Sequence, residues 1–310
     1  MVEKMRIYTI TLNPAFDVHA SAENLVLGRE NLASVTSRDA GGKGINISRA
    51  LSANGVENTA IAVLGKENGA EFKSLIGEYG INCVSIEKEG RIRENLTFHA
   101  DGGETRISFS GFDVDNSVLD EIGTIIELDG DTVVTFTGSV PSGVDISECK
   151  KFLLGLKAKG ARIVIDSKSF TLDDLIEVKP WLIKPNGEEI EVYSGRRIID
   201  FEDCRDIAFE LFGKGIENVM ISLGEMGAML VSSDGAYVAS PPAICAISTV
   251  GAGDSTIAGF IAAFADGEGA EGSLCRAVAY GTAACLREGT APPIYSDVKE
   301  ILKTVSSFAL

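Results

Sequence analysis

A chain of 310 residues, 45% hydrophobic and 24% charged, has the composition of a globular protein and suits one wide α/β core with an appendage, so we expect a single domain over residues 1–310. Its formal net charge of -17 repels nucleic-acid phosphates and excludes nucleic acid as an expected partner, although a small anionic ligand needs only a local group of basic residues. Neither a signal-peptide pattern nor an apolar run of spanning length occurs, which favours a cytoplasmic protein without a membrane partner.

The cysteines and histidines show no metal-binding pattern. No C-x-x-C pair occurs, and only two histidines, His19 and His99, could contribute to a metal site. We therefore expect the cysteines to be reduced and mostly buried. They are Cys83, Cys149, Cys204, Cys245, Cys275 and Cys285.

Strand-like and helix-like segments alternate along the chain. Short β-rich runs alternate with longer stretches of helical period, which predicts βαβ units and a largely parallel sheet covered by helices on both faces. In such sheets ligands bind beyond the carboxyl ends of the strands. The predicted strands include Arg6–Leu12, Thr132–Thr137, Arg162–Asp166, Trp181–Lys184 and Asn218–Ser222, and the predicted helices include Ile45–Ala53, Glu148–Lys159 and Cys204–Phe212.

Two segments, roughly Ala15–Arg38 and Arg91–Gly111, interrupt this alternation. In the second, two strand-like runs flank the turn signal Asp101-Gly102-Gly103, which predicts a hairpin. We interpret the pair as a small β-sheet lid inserted in the core, which would exclude water from a reaction centre. The alternative is that these strands extend the main sheet.

A glycine-rich turn, Ala40-Gly41-Gly42-Lys43-Gly44-Ile45-Asn46, precedes a helix-like stretch. It is not a P-loop, because Gly44 stands where Ser or Thr must follow the lysine, and it does not match G-x-G-x-x-G. Glycines here would admit a ligand close to the backbone, while Asn46 could hydrogen-bond a sugar hydroxyl and Lys43 could meet a phosphate. An ordinary structural turn is the alternative.

Polar loops follow three of the predicted strands. Each alone is typical of an ordinary loop, but the carboxyl ends of parallel strands meet at one edge of a sheet, where such loops could form a common site. The loops are Gly138–Gly143, Lys184–Glu189 and Ser222–Gly227.

The strongest signal is Thr249-Val250-Gly251-Ala252-Gly253-Asp254-Ser255, which is followed by an apolar, helix-like run. Its glycines let successive N–H groups point outward and the following helix adds its positive dipole end, so the turn predicts an anion hole suited to phosphate. The carboxylate of Asp254 could take a proton from a hydroxyl that attacks the held phosphate. Simple capping of the helix by Asp254 is the alternative.

Taken in order, these stretches resemble the ribokinase-like, PfkB-type carbohydrate kinases over essentially the whole chain. Ile7–Asp17 and the G-G-K-G-I-N turn are most similar to the phosphosugar branch of that family, which comprises 1-phosphofructokinases, tagatose-6-phosphate kinases and minor 6-phosphofructokinases. The resemblance implies a ribokinase-like three-layer sandwich with a central, mostly parallel sheet and a small β-sheet lid. It also implies phosphoryl transfer from ATP.

The family motifs assign roles to individual residues by match. In G-A-G-D, Asp254 matches the catalytic base, and Gly251, Ala252 and Gly253 match the anion hole. We expect Arg106 to join Lys43 and Arg93 around the substrate phosphate, with a solvated hairpin face as the alternative for both arginines. The expected substrate-binding residues are Asp17, Gly42, Lys43, Asn46, Arg93, Arg106 and Ser139.

The resemblance also assigns the nucleotide side. The family's N-x-x-E motif, which organises Mg²⁺ largely through water, matches Asn186 and Glu189. The residues that match the ATP contacts are Lys184, Asn186, Ser222, Gly224 and Gly227.

Among substrates the resemblance favours D-fructose 1-phosphate, and tagatose 6-phosphate and fructose 6-phosphate stay open. A non-catalytic sugar-phosphate sensor is disfavoured because Asp254 is present. An NAD-dependent oxidoreductase would need G-x-G-x-x-G after the first strand, where Asn13-Pro14-Ala15 stands instead. A homodimer formed through the lid is a further expectation, since an isolated small sheet exposes an apolar face.

Overall fold

The computed structural model describes residues 5–100, 103–128, 130–198 and 201–310, and these residues form fourteen strands and ten helices. The strands are β1 (Arg6–Thr11), β2 (Ala15–Ser21), β3 (Ser34–Gly41), β4 (Thr59–Gly65), β5 (Cys83–Lys88), β6 (Arg93–Ala100), β7 (Gly103–Ser108), β8 (Thr132–Thr137), β9 (Arg162–Asp166), β10 (Leu182–Ile183), β11 (Asn218–Ser222), β12 (Ala228–Ser232), β13 (Gly235–Ser240) and β14 (Ser306–Ala309). The helices are α1 (Lys43–Ala53), α2 (Gly69–Glu78), α3 (Ser117–Ile125), α4 (Ile146–Ala158), α5 (Leu172–Val178), α6 (Gly187–Ser194), α7 (Phe201–Gly213), α8 (Ala252–Ala265), α9 (Ala270–Ala284) and α10 (Tyr295–Leu302).

The main sheet has ten strands in the order β14-β13-β12-β11-β10-β9-β8-β1-β4-β5. The strands from β11 through β1 to β5 are parallel, and β12, β13 and β14 form an antiparallel edge. The mostly parallel sheet predicted from the alternating pattern is thus confirmed. β10 is shorter than the predicted Trp181–Lys184, because Pro180 and Pro185 flank it and proline cannot donate to a strand ladder.

Helices cover both faces of the main sheet and make three layers. In β1, Ile10 pairs with Ile61 and Phe136 of its two neighbours, and these side chains pack in the core beneath α3, α4 and α7. Ile7 and Val133 point to the opposite face and pack with α1, α8, α9 and α10. No helix in the described ranges combines the length and apolar character that a membrane crossing requires.

Four strands form a separate sheet in the order β3-β2-β6-β7, which we call the small sheet. They therefore do not extend the main sheet. β2 pairs with β6 in parallel, and the two outer pairs are antiparallel. One face packs on the main body at its base, where Phe16 and Val18 are buried with Phe72 of α2. Residues 101 and 102 of the predicted hairpin turn lie outside the described residues.

The order of the strands reverses at β1. From this strand the chain continues to β4 and β5 on one side and later to β8, β9, β10 and β11 on the other. Loops that leave the carboxyl ends of neighbouring strands diverge at such a point and open a crevice. The polar loops predicted from the sequence leave the sheet at this edge, after β8, β10 and β11.

Candidate active site

The Asp254 carboxylate lies in the first turn of α8 and is 7% exposed. α8 starts at Gly251, whose positive φ of 77° is a left-handed conformation that favours glycine, and no side chain caps this helix. Simple capping therefore does not account for Asp254. Its Oδ2 instead accepts a hydrogen bond of 2.8 Å from Nδ2 of Asn46 in α1.

Two glycine-rich turns converge at this contact. Gly42 has a φ of 131° and turns the chain from β3 of the small sheet directly into α1, so the helix begins two residues before the predicted Ile45. The start of α1 lies close to β1, since a Cβ on Gly44 would stand 2.4 Å from Oγ1 of Thr11. α1 and α8 then pack together, which brings the Gly42 turn and the Gly251 turn to the same end of the main sheet.

Charges of alternating sign surround Asp254. Nζ of Lys43 donates to Oδ2 of the buried Asp166 at 2.8 Å. Nζ of Lys184, itself 5% exposed, lies 3.1 Å from the position that a Cβ on Gly253 would take. Two ammonium groups and two carboxylates thus meet where β9 and β10 end and where α1 and α8 begin.

These charges set the protonation of the two acids in opposite directions. Burial raises the pKa of Asp254 to about 6, and the nearby Asp166 adds to the rise while Lys43, Asn46 and Lys184 oppose it. Burial would also raise the pKa of Asp166, but Lys184 and Lys43 outweigh burial and hold the pKa of this carboxyl below its usual value. Asp254 is therefore the acid of the pair that can exchange a proton near neutral pH.

A second polar group links Arg93 to Ser139. The Arg93 guanidinium donates to the backbone carbonyls of Phe109 and Asn13, both at 3.2 Å, and its Nε is buried without a hydrogen-bond partner. Nδ2 of Asn13 donates to Oγ of Ser139 at 3.0 Å. The end of β1, the loop after β8 and the start of β6 therefore form one polar wall of the crevice.

Asp17 lies in β2 of the small sheet, where Oδ1 accepts a hydrogen bond of 3.0 Å from Nδ2 of Asn95. Its other carboxylate oxygen packs against Gly41, since a Cβ there would stand 2.0 Å from it. Burial raises the pKa of Asp17, although Asn95 opposes the rise.

Several buried polar atoms near these residues lack a partner. They are Thr11 Oγ1, Asn46 Oδ1 and Asn95 Oδ1. Buried polar atoms are normally satisfied, so a cluster of unpartnered ones marks a place where a polar ligand would bind. All three belong to segments that meet near the Gly41–Gly42 turn, as expected of a site for a hydroxyl-rich molecule.

On the other side of Lys184, the loops after β10 and β11 meet. Asn186 pairs with Ser222 in an isolated parallel bridge. Gly224 and Gly227 enclose the single 3₁₀ turn that follows β11, and the Leu223 N–H donates to the Gly227 carbonyl at 2.8 Å. Of the residues expected at the nucleotide, Lys184 thus lies beside the Gly251 turn, and Asn186, Ser222, Gly224 and Gly227 lie in the two adjoining loops.

The N-x-x-E pair forms a capping box at the start of α6. Oδ1 of Asn186 accepts from the Glu189 N–H, and Oε2 of Glu189 accepts from the Asn186 N–H. The other carboxylate oxygen, Oε1, has Lys168 at 3.7 Å. The described residues contain no group of three acidic, histidine or cysteine side chains that could enclose a metal. A single carboxylate oxygen fits an ion such as Mg²⁺ that keeps most of its water.

Arg106 is the one expected site residue that the structure places at a distance from the others. It lies on β7, the outer strand of the small sheet, opposite Thr97, and its Nε donates to Glu104 at 2.5 Å. Its side chain is half exposed. Thr97 is four residues along β6 from Arg93, so the two arginines lie about 13 Å apart along the strand direction.

Comparison with known proteins identifies this arrangement. Residues 11–297 match the sequence model described as pfkB family carbohydrate kinase. The chain is 36% identical to the 1-phosphofructokinase of Escherichia coli K12 over 280 residues, which cover 88% of this chain and 89% of the relative. It is 32% identical to the 1-phosphofructokinase of Bacillus subtilis 168, with 83% of this chain and 84% of the relative covered.

The chain belongs to the pfkB family of carbohydrate kinases. The fold agrees: phosphofructokinase-2 from Escherichia coli, in its crystal structure with potassium, superposes with a TM-score of 0.90 at 27% identity and covers 98% of this chain and 99% of its own. The expected ribokinase-like architecture is thus confirmed, and the protein is an ATP-dependent sugar kinase.

Sequence reasoning overlooked several polar residues of this kinase site. Asp166 ends a hydrophobic strand, and nothing nearby in the sequence shows that it meets Lys43 across 123 residues. Asn95 stands two residues after Arg93 on the same face of β6, and this period-two spacing was a usable signal. Asn13 lies within Ile7–Asp17, but its contact in the site is with Ser139, which belongs to a distant loop.

Proposed function

We propose that this protein transfers the γ-phosphoryl group of ATP to the free primary hydroxyl of D-fructose 1-phosphate, giving fructose 1,6-bisphosphate and ADP. The observation that carries the proposal is the contact between Asn46 and Asp254, which joins two glycine-rich turns around a buried carboxylate with a pKa of about 6. Such a carboxylate is ionised at neutral pH yet more basic than an exposed one, which suits a general base. The identity of the sugar is supported by the 1-phosphofructokinase relatives.

In the proposed reaction Asp254 accepts the proton of the attacking hydroxyl. The hydroxyl oxygen forms a bond to the γ-phosphorus while the bond between that phosphorus and the β–γ bridging oxygen breaks, and ADP leaves. The N–H groups of Gly251, Ala252 and Gly253 at the start of α8, with the Lys184 ammonium beside them, would offset charge on the group in transfer. Positioning and electrostatics supply most of the catalysis in such reactions.

The substrate would lie between the small sheet and the main body. Asp17, Asn46 and Asn95 offer carboxylate and amide groups to the sugar hydroxyls, two of them through buried oxygen atoms that lack a partner. The backbone of Gly42 would lie against the sugar, in a conformation that requires glycine because its φ is 131° and a Cβ would stand 2.7 Å from Cγ2 of Thr11.

The phosphate already on the sugar would be held by Arg93, Ser139 and Lys43. A dianion in a protein with a net charge of -17 requires such a local group of donors. Burial opposes the charged form of Lys43, but Asp166 and Asp254 outweigh it and raise the pKa of the ammonium, so it stays protonated. Arg106 is paired with Glu104 on the outer strand, so it would reach the phosphate only by exchanging this partner when the small sheet closes as a lid.

Lys184, Asn186, Ser222, Gly224 and Gly227 would contact ATP, and the Mg²⁺ that accompanies it would be held through water by Asn186 and Glu189. When bound, the ion neutralises charge on the phosphates. Glu189 contributes the carboxylate oxygen that the capping box leaves available.

We further propose that the protein works in the cytoplasm as a homodimer joined through the small sheets. The small sheet and the loop between β2 and β3 carry exposed apolar side chains: Val35 of β3 is 66% exposed and Ile107 of β7 43%, and in the loop Leu27 is 90% exposed and Leu32 95%. A group of exposed apolar side chains in one region marks a protein contact surface. Burial raises the pKa of Cys83 to about 11 and of Cys149 to about 12, so these thiols stay protonated and inert, as suits a reducing compartment.

The proposal is tested by measuring ADP release from ATP with D-fructose 1-phosphate, tagatose 6-phosphate, fructose 6-phosphate and unphosphorylated fructose. We expect the highest kcat/KM with D-fructose 1-phosphate and the lowest with the neutral sugar. Asp254→Asn is expected to lower kcat by about 10²- to 10⁴-fold, the usual contribution of a general base.

The same experiment separates the alternatives. A preference for one of the 6-phosphates would assign the protein to another member of the phosphosugar branch. If calorimetry shows binding of a sugar phosphate but no ADP forms with any of them, the protein is a sensor and the kinase proposal fails. Preference for neutral fructose would show that Lys43 and Arg93 do not form a site for a phosphate on the sugar.

A further inference from the structure

Arg49 is a buried cation directly beneath the site. It lies in α1 three residues after Asn46 and is 7% exposed. Its Nε has no hydrogen-bond partner, and no carboxylate pairs with it in the described ranges of the chain. Burial lowers its pKa, and Tyr79, Asp39 and Asp17 oppose this lowering without reversing it. Because burying an unpaired charge costs free energy, a guanidinium in this setting calls for a role other than stability.

One side of the guanidinium faces the small sheet. Its central carbon lies 3.7 Å from the ring centroid of Tyr79, which ends α2. The Tyr79 hydroxyl donates to Oδ1 of Asp39 at 3.2 Å and accepts from the Ala40 N–H at 2.9 Å. Both residues belong to β3 just before it enters the Gly42 turn, and Asp39 pairs with Asp17 across the ladder. Arg49 thus supports the strand that carries one edge of the sugar site.

The other side faces the anion hole. Nη1 of Arg49 donates to Oγ1 of Thr290 at 3.4 Å, and Thr290 is 9% exposed. The Cα atom of Thr290 lies 3.6 Å from the position that a Cβ on Gly251 would take, so Thr290 packs directly behind the Gly251 turn. The preceding Gly289 faces the small sheet, where Nε2 of His19 lies 3.5 Å from the position of its absent Cβ.

We propose that Arg49 is a positioning residue that couples the small sheet to the anion hole, fixing β3 through Tyr79 and the Gly251 turn through Thr290. The closed position of the small sheet and the alignment of the anion-hole N–H groups then depend on each other. A planar guanidinium can stack on a ring and donate in its own plane at once, which an ammonium cannot do. The proposal rests on the proposed function only in taking phosphoryl transfer as one of its readouts.

The kinetic test compares Arg49→Met and Arg49→Lys with Arg162→Met. Arg162 is a matched control because it also stacks on an aromatic ring, that of Phe264 at 4.8 Å, and pairs with Asp131. It is the first residue of β9, so it lies at the amino ends of the parallel strands, whereas the site lies at their carboxyl ends. We expect both Arg49 variants to lower kcat at least about 10-fold and to raise the fraction of ATP lost to water, because a misplaced lid admits water to the phosphate. Arg162→Met is expected to change neither quantity.

A purely structural role would lower the melting temperature and leave kcat, KM and the coupling of ATP use to sugar phosphorylation unchanged in the folded protein. That result for Arg49→Lys would overturn the proposal. Arg49→Lys retains the charge and serves as the decisive variant if Arg49→Met does not fold.

Amide hydrogen exchange tests the coupling without any catalysis, so this test of Arg49 remains valid even if the protein phosphorylates no sugar. We expect Arg49→Lys to speed exchange at Ala40 and, in the same variant, in the segment around Gly251, each at least about 10-fold, since local opening sets exchange. Faster exchange in only one of these segments, or in neither, would show that Arg49 does not couple them.

Discussion

At the scale of single residues, the site consists of charges that fix one another. Lys43 and Lys184 keep Asp166 ionised, while Asp254 has a raised pKa because burial outweighs the same two cations. The difference lies in the contacts: Asp166 accepts directly from an ammonium, and Asp254 accepts from the neutral amide of Asn46. One acid is therefore a permanent charge, and the other can accept a proton.

The pH dependence of activity follows from the pKa of Asp254. A base must be ionised, so kcat/KM should fall as the pH drops through about 6. Asn46→Ala removes a donor that lowers this pKa, and the acidic limb should move to higher pH by about one unit, since a hydrogen bond to a charged group contributes about 1.5 kcal/mol. The measurement is the pH profile of kcat/KM.

Asn54→Ala is the control for this change. Asn54 ends the same helix and donates to the carbonyls of Ala50 and Pro293, away from Asp254. Its variant should keep the acidic limb near pH 6. An unmoved limb in Asn46→Ala would show that the Asn46 amide does not tune the base.

At the scale of helices and strands, the sequence predicted much of the parallel core because its strands are short runs rich in β-branched and other apolar residues, set between helix-like stretches. Thr132–Thr137 and Asn218–Ser222 have the observed bounds. The antiparallel edge was not predicted: the hairpin signal Asp234-Gly235 between β12 and β13 was overlooked, and no local pattern announces the pairing of β13 with the distant β14. For the same reason the Arg49, Tyr79 and Thr290 cluster could not be seen: its members come from three distant segments.

The start of α6 combines structure with a proposed role. Asn186→Ala removes the side chain that caps the helix, which should lower the free energy of unfolding by about 1 kcal/mol. It should also raise the Mg²⁺ concentration needed for half-maximal activity, because the Asn186 amide is one of the two groups proposed to hold the ion through water, and Glu189, which keeps its bond to the backbone N–H of residue 186, would remain as the other. Denaturant unfolding and a Mg²⁺ titration of ADP release measure the two effects.

Thr171→Ala is the matched control, because Thr171 and Asp174 form the same capping box at the start of α5 on an exposed surface. This variant should lose similar stability while its Mg²⁺ dependence stays that of the unaltered protein. If both variants leave the Mg²⁺ dependence unchanged, Asn186 has only a structural role.

At the scale of the whole molecule, the strong negative charge and the exposed apolar side chains of the small sheet and its β2–β3 loop act on different partners. The net charge of -17 opposes anionic ligands everywhere except where Lys43, Arg93 and Lys184 gather. Composition could predict that such a group must exist, but only the folded chain shows where it lies. The exposed apolar side chains are instead the proposed contact with a second copy of the chain.

The proposed dimer predicts a change in size on mutation. The protein should sediment as a dimer, and Leu27→Asp combined with Leu32→Asp should yield monomers, since two charges would have to be buried in the contact. Val192→Asp is the control: Val192 lies on α6 and is 81% exposed, and its variant should remain dimeric. An unaltered protein that sediments as a monomer, or a double variant that stays dimeric, contradicts the proposal.

The parallel pairing of β2 with β6 also bears on how the protein is made. β2 can pair with β3 as soon as residues 34–41 emerge, but it cannot pair with β6 until α1, β4, α2 and β5 have also left the ribosome. We therefore expect the small sheet to begin as a hairpin of β2 and β3 beside the nascent pair of β1 and β4. The element that would shut over the substrate is thus complete by residue 108, before β8, β9, β10 and β11 supply the other half of the parallel core, and its exposed apolar side chains are what a chaperone or protease would meet on the nascent chain.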